Sequence, residues 1–185
     1  MKRFIPVFAV LLLAGCANNV GSGQPVAQMT FAHLQPITIN VNAINVQIEE
    51  ARTGGEFVTD PVVAAENYFK SRYVPQGAQD QMLITIEEAT VRRGQKKASG
   101  KMAQFFDVGG QDVYNVNLRL RVEHVDAQSN RLYGKVFKAW REMNITEHAS
   151  VAERERHELA GLEKMFNDLD REIVHMVVED MHLKM

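Results

Sequence analysis

The segment Tyr114–Glu123 reads Tyr-Asn-Val-Asn-Leu-Arg-Leu-Arg-Val-Glu, with apolar side chains at every second position and polar or charged ones between. A period of two is that of a β-strand with one buried face and one wet face. A sheet wet on one side is of the antiparallel kind, and its dry side needs a covering layer. The rest of the chain has to supply partner strands and that layer.

Partner strands are legible on both sides. Asp126-Ala-Gln-Ser-Asn130 predicts a short hairpin turn, and the chain returns over Leu132 to about Ile145. In the returning strand Val136 and Trp140 share one face, while Phe137, Ala139, Met143 and Ile145 share the other. A strand apolar on both sides is either central and covered twice or partly a binding edge. Trp140 is assigned to the core, where large aromatics usually sit. Upstream, Met82, Ile84 and Ile86 alternate and the phase slips before Ala89 and Val91, which a β-bulge produces. Pro36–Ile48 slips as well, with Ile37, Ile39 and Val41 in one phase and Ile44, Val46 and Ile48 in the other. It reads as one strand bent at Asn42-Ala43, with two short strands as the alternative.

The covering layer is helical. Asp60 can cap a helix whose first residue is Pro61. Val62, Ala65, Phe69 and Tyr73 form its apolar stripe, and Pro75-Gln-Gly77 ends it. Ser150-Val-Ala-Glu153 is a capping box. The stripe behind it, Leu159, Leu162, Phe166, Leu169, Ile173 and Met176, is widened by Val177. A helix continuing to Leu183 would be about 50 Å long. The predicted fold class is α+β: a mainly antiparallel, curved four-stranded sheet with a short helix and a long C-terminal helix packed on it.

Reactive chemistry is sparse. Cys16 is the only cysteine, which rules out an internal disulfide and a thiolate zinc site. The six histidines are His33, His124, His148, His157, His175 and His182; none pairs at helical metal spacing, so no metal or cofactor is expected. Glu49-Glu50 and Glu87-Glu88 are adjacent on strands, and alternation sends neighbours to opposite faces, which excludes a carboxylate dyad. No phosphate-binding, dinucleotide-binding or nucleophile-elbow motif is present. The formal net charge of −2 argues against nucleic acid as a partner. The expectation is a non-enzymatic protein.

The N-terminus sets the location. Lys2 and Arg3 precede an apolar run from Phe4 to Leu13, followed by Ala14, Gly15 and Cys16. This is the layout of a secretory signal, and Leu13-Ala14-Gly15-Cys16 resembles a bacterial lipobox. The resemblance implies a signal peptide over 1–15 and an acylated Cys16 as first mature residue, with membrane lipid as its partner. Multiple acyl chains make such attachment stable. Residues 16–30, rich in Asn, Gly, Ser and Gln, read as a flexible tether, and 31–185 as one periplasmic domain. Ala17 follows the cysteine where Asp would favour inner-membrane retention, so the outer membrane is the favoured site.

One further stretch stands out. Arg92, Arg93, Lys96, Lys97 and Lys101 gather around Gly94 and Gly100, and Phe105-Phe106 follow before Gly109-Gly110. This is either a hairpin loop or two strands extended past the sheet, and it is a candidate contact element for anionic head groups or an acidic partner. Together the lipobox, the Pro-Ile-rich first strand, the short aromatic helix, "ITIEEATV", the Arg-alternating hairpin and a last helix opening "ASVAERER" resemble auxiliary lipoproteins of envelope ABC-type transporters. The paraquat-inducible and mammalian-cell-entry type lipid-transport systems are the nearest. The lipopolysaccharide-assembly lipoprotein of the outer membrane is more distant in architecture. The resemblance implies a non-catalytic periplasmic accessory that docks onto a lipid- or glycolipid-transport assembly. The alternatives are a lipid carrier or chaperone, and more remotely a hydrolase without a recognisable motif.

Overall fold

The computed structural model describes residues 29–49, 51, 52, 57, 59–96 and 110–185. The signal segment, Cys16, residues 17–28, Lys97, Lys101, Phe105 and Phe106 lie outside the described residues.

Among the described residues, seven strands and two helices follow in the order β1 (Ile37–Ile39), β2 (Ala43–Ile48), β3 (Ala51–Arg52), α1 (Pro61–Arg72), β4 (Tyr73–Pro75), β5 (Gln81–Lys96), β6 (Gln111–Val125), β7 (Arg131–Thr146) and α2 (Val151–His175). A π-helical turn, Met176–Asp180, continues α2. The main sheet has four strand positions and is not closed. β5, β6 and β7 form an antiparallel meander, while β2 and then β3 run parallel to β5 along its other side. The fold is thus α+β, with a mainly antiparallel sheet, a short helix and a long C-terminal helix.

The alternating residues pack as their period requires. Tyr114, Val116, Leu118, Leu120 and Val122 are buried, as are Met82, Ile84, Ile86, Ala89 and Val91 across from them. The phase slip in β5 is a bulge: the register with β6 shifts between Ile86 and Glu88, which restores the apolar phase at Ala89. The Asp126 turn closes the β6–β7 hairpin, with Asp126 Oδ1 accepting from the Gln128 and Asn130 amides at 2.9 and 2.7 Å.

The first strand differs from expectation. Pro36–Ile48 is not one bent strand but two: β1 pairs with β4 in a separate two-stranded parallel sheet, and β2 pairs with β5. The phase slip reflects a change of partner rather than a bulge. The chain's end closes the small sheet, since the Asn40 amide donates to the Leu183 carbonyl at 2.7 Å.

Both helices cover the same face of the main sheet. Asp60 caps α1 by accepting from the Val62 amide at 2.8 Å, and Ser150 and Glu153 form the capping box of α2. Leu162, Phe166, Leu169, Ile173, Met176 and Val177 are all buried in one core with Val62, Ala65 and Phe69 of α1. The α-helical part ends at His175 rather than near Leu183, giving a length of about 37 Å.

A partly buried polar clamp joins the helices. Asp170 of α2 accepts at Oδ1 from the Tyr68 hydroxyl (2.7 Å) and Arg72 Nε (2.7 Å), and at Oδ2 from Arg72 Nη2 (3.1 Å). Arg72 Nη1 also donates to the Gln35 carbonyl. Beside this clamp Phe31 packs between Tyr68 and Phe166, at ring-centre distances of 5.5 and 5.0 Å. Burial, followed by the neighbouring Tyr73 and then the Asp170 charge, pushes the Tyr68 hydroxyl far above its usual range; burial does the same to Tyr73.

Two outcomes are expected. Asp170→Ala strands Arg72 and Tyr68 without their acceptor and should cost about 3–5 kcal/mol in urea unfolding. Because both tyrosines are held neutral in the folded chain, their contribution is complete below about pH 10 and is lost as pH rises beyond it. Thermal midpoints should therefore fall steeply on the alkaline side, and less steeply in a Tyr68→Phe/Tyr73→Phe variant.

Candidate functional site

The two faces of the sheet have different fates. The inner face is filled by the chain's own α1 and α2 side chains. On the outer face of β7, Leu132, Val136 and Trp140 recur at every fourth residue and are 55%, 39% and 72% exposed. The assignment of Trp140 to the core is therefore overturned. β7 is the last strand of the sheet, and α2 covers only its other face, where Phe137, Met143 and Ile145 are buried.

Polar side chains surround the indole. A shallow depression of about 260 Å³ beside it is lined by Glu88, Asn117, Arg119, Lys138 and Trp140, with Leu118 and Ala139 also contributing. Further along this face Glu87 bridges Arg119 Nε (2.5 Å) and Arg121 Nε (2.9 Å), and Arg121 also reaches Glu49 at 3.2 Å. Glu88 accepts from the Thr90 hydroxyl at 3.2 Å. Both carboxylates therefore lie on the outer face, against the expectation that neighbours on a strand point apart. The bulge between Ile86 and Glu88 is the reason, because an inserted residue suspends the alternation there. The pair is held by arginines and a hydroxyl, an arrangement suited to a rigid charged surface.

The basic stretch divides. Arg92, Arg93 and Lys96 are not in a loop but in β5, which pairs with β6 out to Lys96↔Gln111. Arg92 is exposed. Lys96 binds Glu142 of β7 at 2.6 Å, a contact that, with Asn144, holds the Glu142 carboxyl below its usual range. Arg93 serves the fold: its Nη2 lies 3.0 Å from the fully buried Asp112 and its guanidinium stands 5.9 Å from the Tyr114 ring centre. Arg154, in the first turn of α2, binds the same carboxylate at 2.8 Å and donates to the Tyr114 hydroxyl at 3.2 Å. This cluster ties the start of α2 to the far end of the β5–β6 hairpin. Lys97, Lys101, Phe105 and Phe106 continue the stretch outside the described residues, as does Cys16 at the other end of the chain.

A second opening lies where α1 meets the sheet. About 300 Å³ is bordered by Ile44 and Val46 of β2, Tyr73 and Pro75 of β4, and the Glu66–Lys70 ion pair at 3.1 Å. It is a surface notch beside a filled core. Among the described residues no helix is long and apolar enough to cross a membrane.

No family model matches this chain, and no curated protein does so. Solved structures of similar course include a minor lipoprotein from Acinetobacter baumannii, with 15% identity and a TM-score of 0.38, covering 80% of this chain and 98% of that one. A second is described as a neuraminyllactose-binding hemagglutinin homolog from Helicobacter pylori, with 8% identity and a TM-score of 0.39, covering 75% and 84%. A third, an uncharacterized protein, has 9% identity and a TM-score of 0.36, covering 75% and 99%. Likeness at this level carries no functional argument.

The Asp112 cluster makes a measurable claim. Hydrogen bonds from Arg93 and then Arg154 hold the Asp112 carboxyl below its usual range. Its stabilisation is thus complete above the ordinary carboxylate value of about 3.9 and is lost as pH falls through the depressed one. Asp112→Asn should cost about 1–3 kcal/mol at neutral pH and should flatten the acid limb of stability against pH.

Proposed function

We propose that this protein is a membrane-tethered docking module, anchored in the cell envelope through acylated Cys16, with the periplasmic face of the outer membrane favoured. In this reading it is a non-catalytic accessory of an envelope lipid or glycolipid transport or assembly system. A protein partner sits on the outer face of the sheet around Trp140, with Arg92 at its margin.

The observation that carries the reading is the exposed Trp140 on an uncovered apolar stripe while the inner face is filled by the chain's own helices. A large indole left in water on a rigid strand is costly unless something covers it, and tryptophan is enriched among residues that dominate binding energy. Lys138 and the depression lined by Glu88, Asn117 and Arg119 supply a polar rim. A lipid carrier would need an open apolar cleft; the sheet face able to form one is occupied by Phe166, Leu169 and Ile173.

Affinity capture from gently solubilised envelopes, followed by mass spectrometry of proteins and lipids, tests this. The native chain should retain transporter or outer-membrane subunits. Trp140→Ala should lower their recovery roughly 30-fold, as loss of about 2 kcal/mol implies, without changing the thermal midpoint. Cys16→Ala should leave the membrane fraction. One lipid per chain bound to the Cys16→Ala protein, with no protein partner, would replace docking by carriage.

A further inference from the structure

β7 is 16 residues long and, among the described residues, pairs on one side alone, with β6. Its other side therefore presents a row of unpaired N–H and C=O groups. Sheets usually blunt such an edge by brevity, proline, bulges or charged side chains, and β7 carries charges of both signs, Arg131, Lys135, Lys138, Arg141 and Glu142. β7 is long, contains no proline, and is regular against β6 apart from a shift at the turn, between His124 and Val125. An edge of this kind is a template for another strand, and the residues of β7 select which one.

Two antiparallel copies of β7 must place same-face residues opposite each other, so a symmetric pairing has its two-fold axis at a residue. With the axis at Trp140, the outer face sets Trp140 against its own copy. Lys138 then faces Glu142 on one side, and Glu142 faces Lys138 on the other. On the inner face the small Ala139 faces Arg141, which leaves room for the guanidinium that reaches Asp168 of its own α2 at 3.4 Å. Phe137 faces Met143.

Neighbouring registers lack these pairs. An axis at Ala139 sets Lys138 against Trp140 and Glu142 against Val136. Axes at Lys138, Arg141 or Glu142 set like charges against each other. Opposite charges and aromatics directly across a strand pair are stabilising, and like charges are not. Lys138 has no ion-pair partner among the described residues. The bonds to Glu142, from Lys96 at 2.6 Å and Asn144 at 3.4 Å, both fall on Oε1, which leaves Oε2 for a second cation.

We propose that two copies of this chain associate antiparallel through the open edge of β7, about a two-fold axis at Trp140, with two Lys138–Glu142 ion pairs flanking the stacked indoles. The interface is isologous and self-limiting: it joins two sheets into one and consumes the free β7 edge of both. It draws on Trp140 and Lys138, which the docking reading also uses, but it needs no other protein, so self-association of the purified chain tests it separately.

The test uses the full-length protein in a density-matched detergent, followed by sedimentation equilibrium. Trp140 is the only tryptophan, so its emission reports on the axis directly. The native chain should sediment as a dimer, and its emission should shift to the blue as concentration rises through the association range. Lys138→Glu and Glu142→Lys should each weaken association at least about tenfold. Circular dichroism melts should show that both remain folded. Mixing these two variants in equal amounts should restore dimers, because each then offers the charge the other lacks, and the doubly swapped chain should dimerise alone. A native chain that stays monomeric throughout would overturn the proposal. So would dimers that both single variants leave unweakened, or a mixture that fails to recover association.

Discussion

The register between β5 and β6 governs the rest of this structure. Because side chains alternate across a sheet, a slip of one residue would send Met82, Ile84 and Ile86 into water and bring Gln81, Leu83, Thr85 and Glu87 inward. The bulge at Glu87 corrects such a slip in mid-strand. On its N-terminal side Ile86 faces Leu120, and on its C-terminal side Ala89 faces Leu118, so one continuous apolar face results. The helices have a surface to cover only because that face is unbroken. The same irregularity delivers Glu87 and Glu88 together to the wet side, where Arg119 and Arg121 meet Glu87.

Two polar clusters then fix the helical layer in place, and each does so by neutralising a carboxylate that burial would otherwise penalise. Asp170 binds α2 to α1 through Tyr68 and Arg72 near one end of the core. Asp112 binds the first turn of α2 to the hairpin through Arg154 and Arg93 at the other. Between them the contact is apolar and close: a β-carbon at Gly161 would run into the Met143 thioether, so α2 lies tightly against β7. A layer pinned at both ends and packed between leaves the inner face to the protein itself. Among the described residues, what stays uncovered is the outer face around Trp140 and the edge of β7.

Legibility in the sequence followed the range of the interaction. Period-two and helical patterns are local, and they located β5, β6, β7, α1 and α2, together with the Asp60 and Ser150 caps and the bulge in β5. Pairing partners are not local. Nothing within Pro36–Ile48 says that its two halves join different sheets, because that depends on where β4 and β5 arrive. The basic stretch after Val91 looked uniform in composition, yet Arg93 is drawn into the Asp112 cluster, Lys96 into an ion pair with Glu142, and Arg92 is exposed. The exposure of Trp140 had a signal: its phase opposes that of Phe137, Met143 and Ile145. Hydrophobicity argued for burial, and only the position of β7 at the sheet's margin argued against it.

By itself, the sequence determined that this chain must form a one-faced sheet covered by amphipathic helices, since alternation and helical stripes are properties of consecutive residues. It also determined that no internal disulfide or multi-cysteine metal site could help, because one cysteine cannot make either. Only the tertiary structure decided which strand stands at the edge, which charges neutralise one another, and which apolar side chains are left in water. Those outcomes rest on contacts between residues far apart in the chain, such as Asp112 with Arg154 and Tyr68 with Asp170, and their energies exist only once the whole sheet and both helices have assembled.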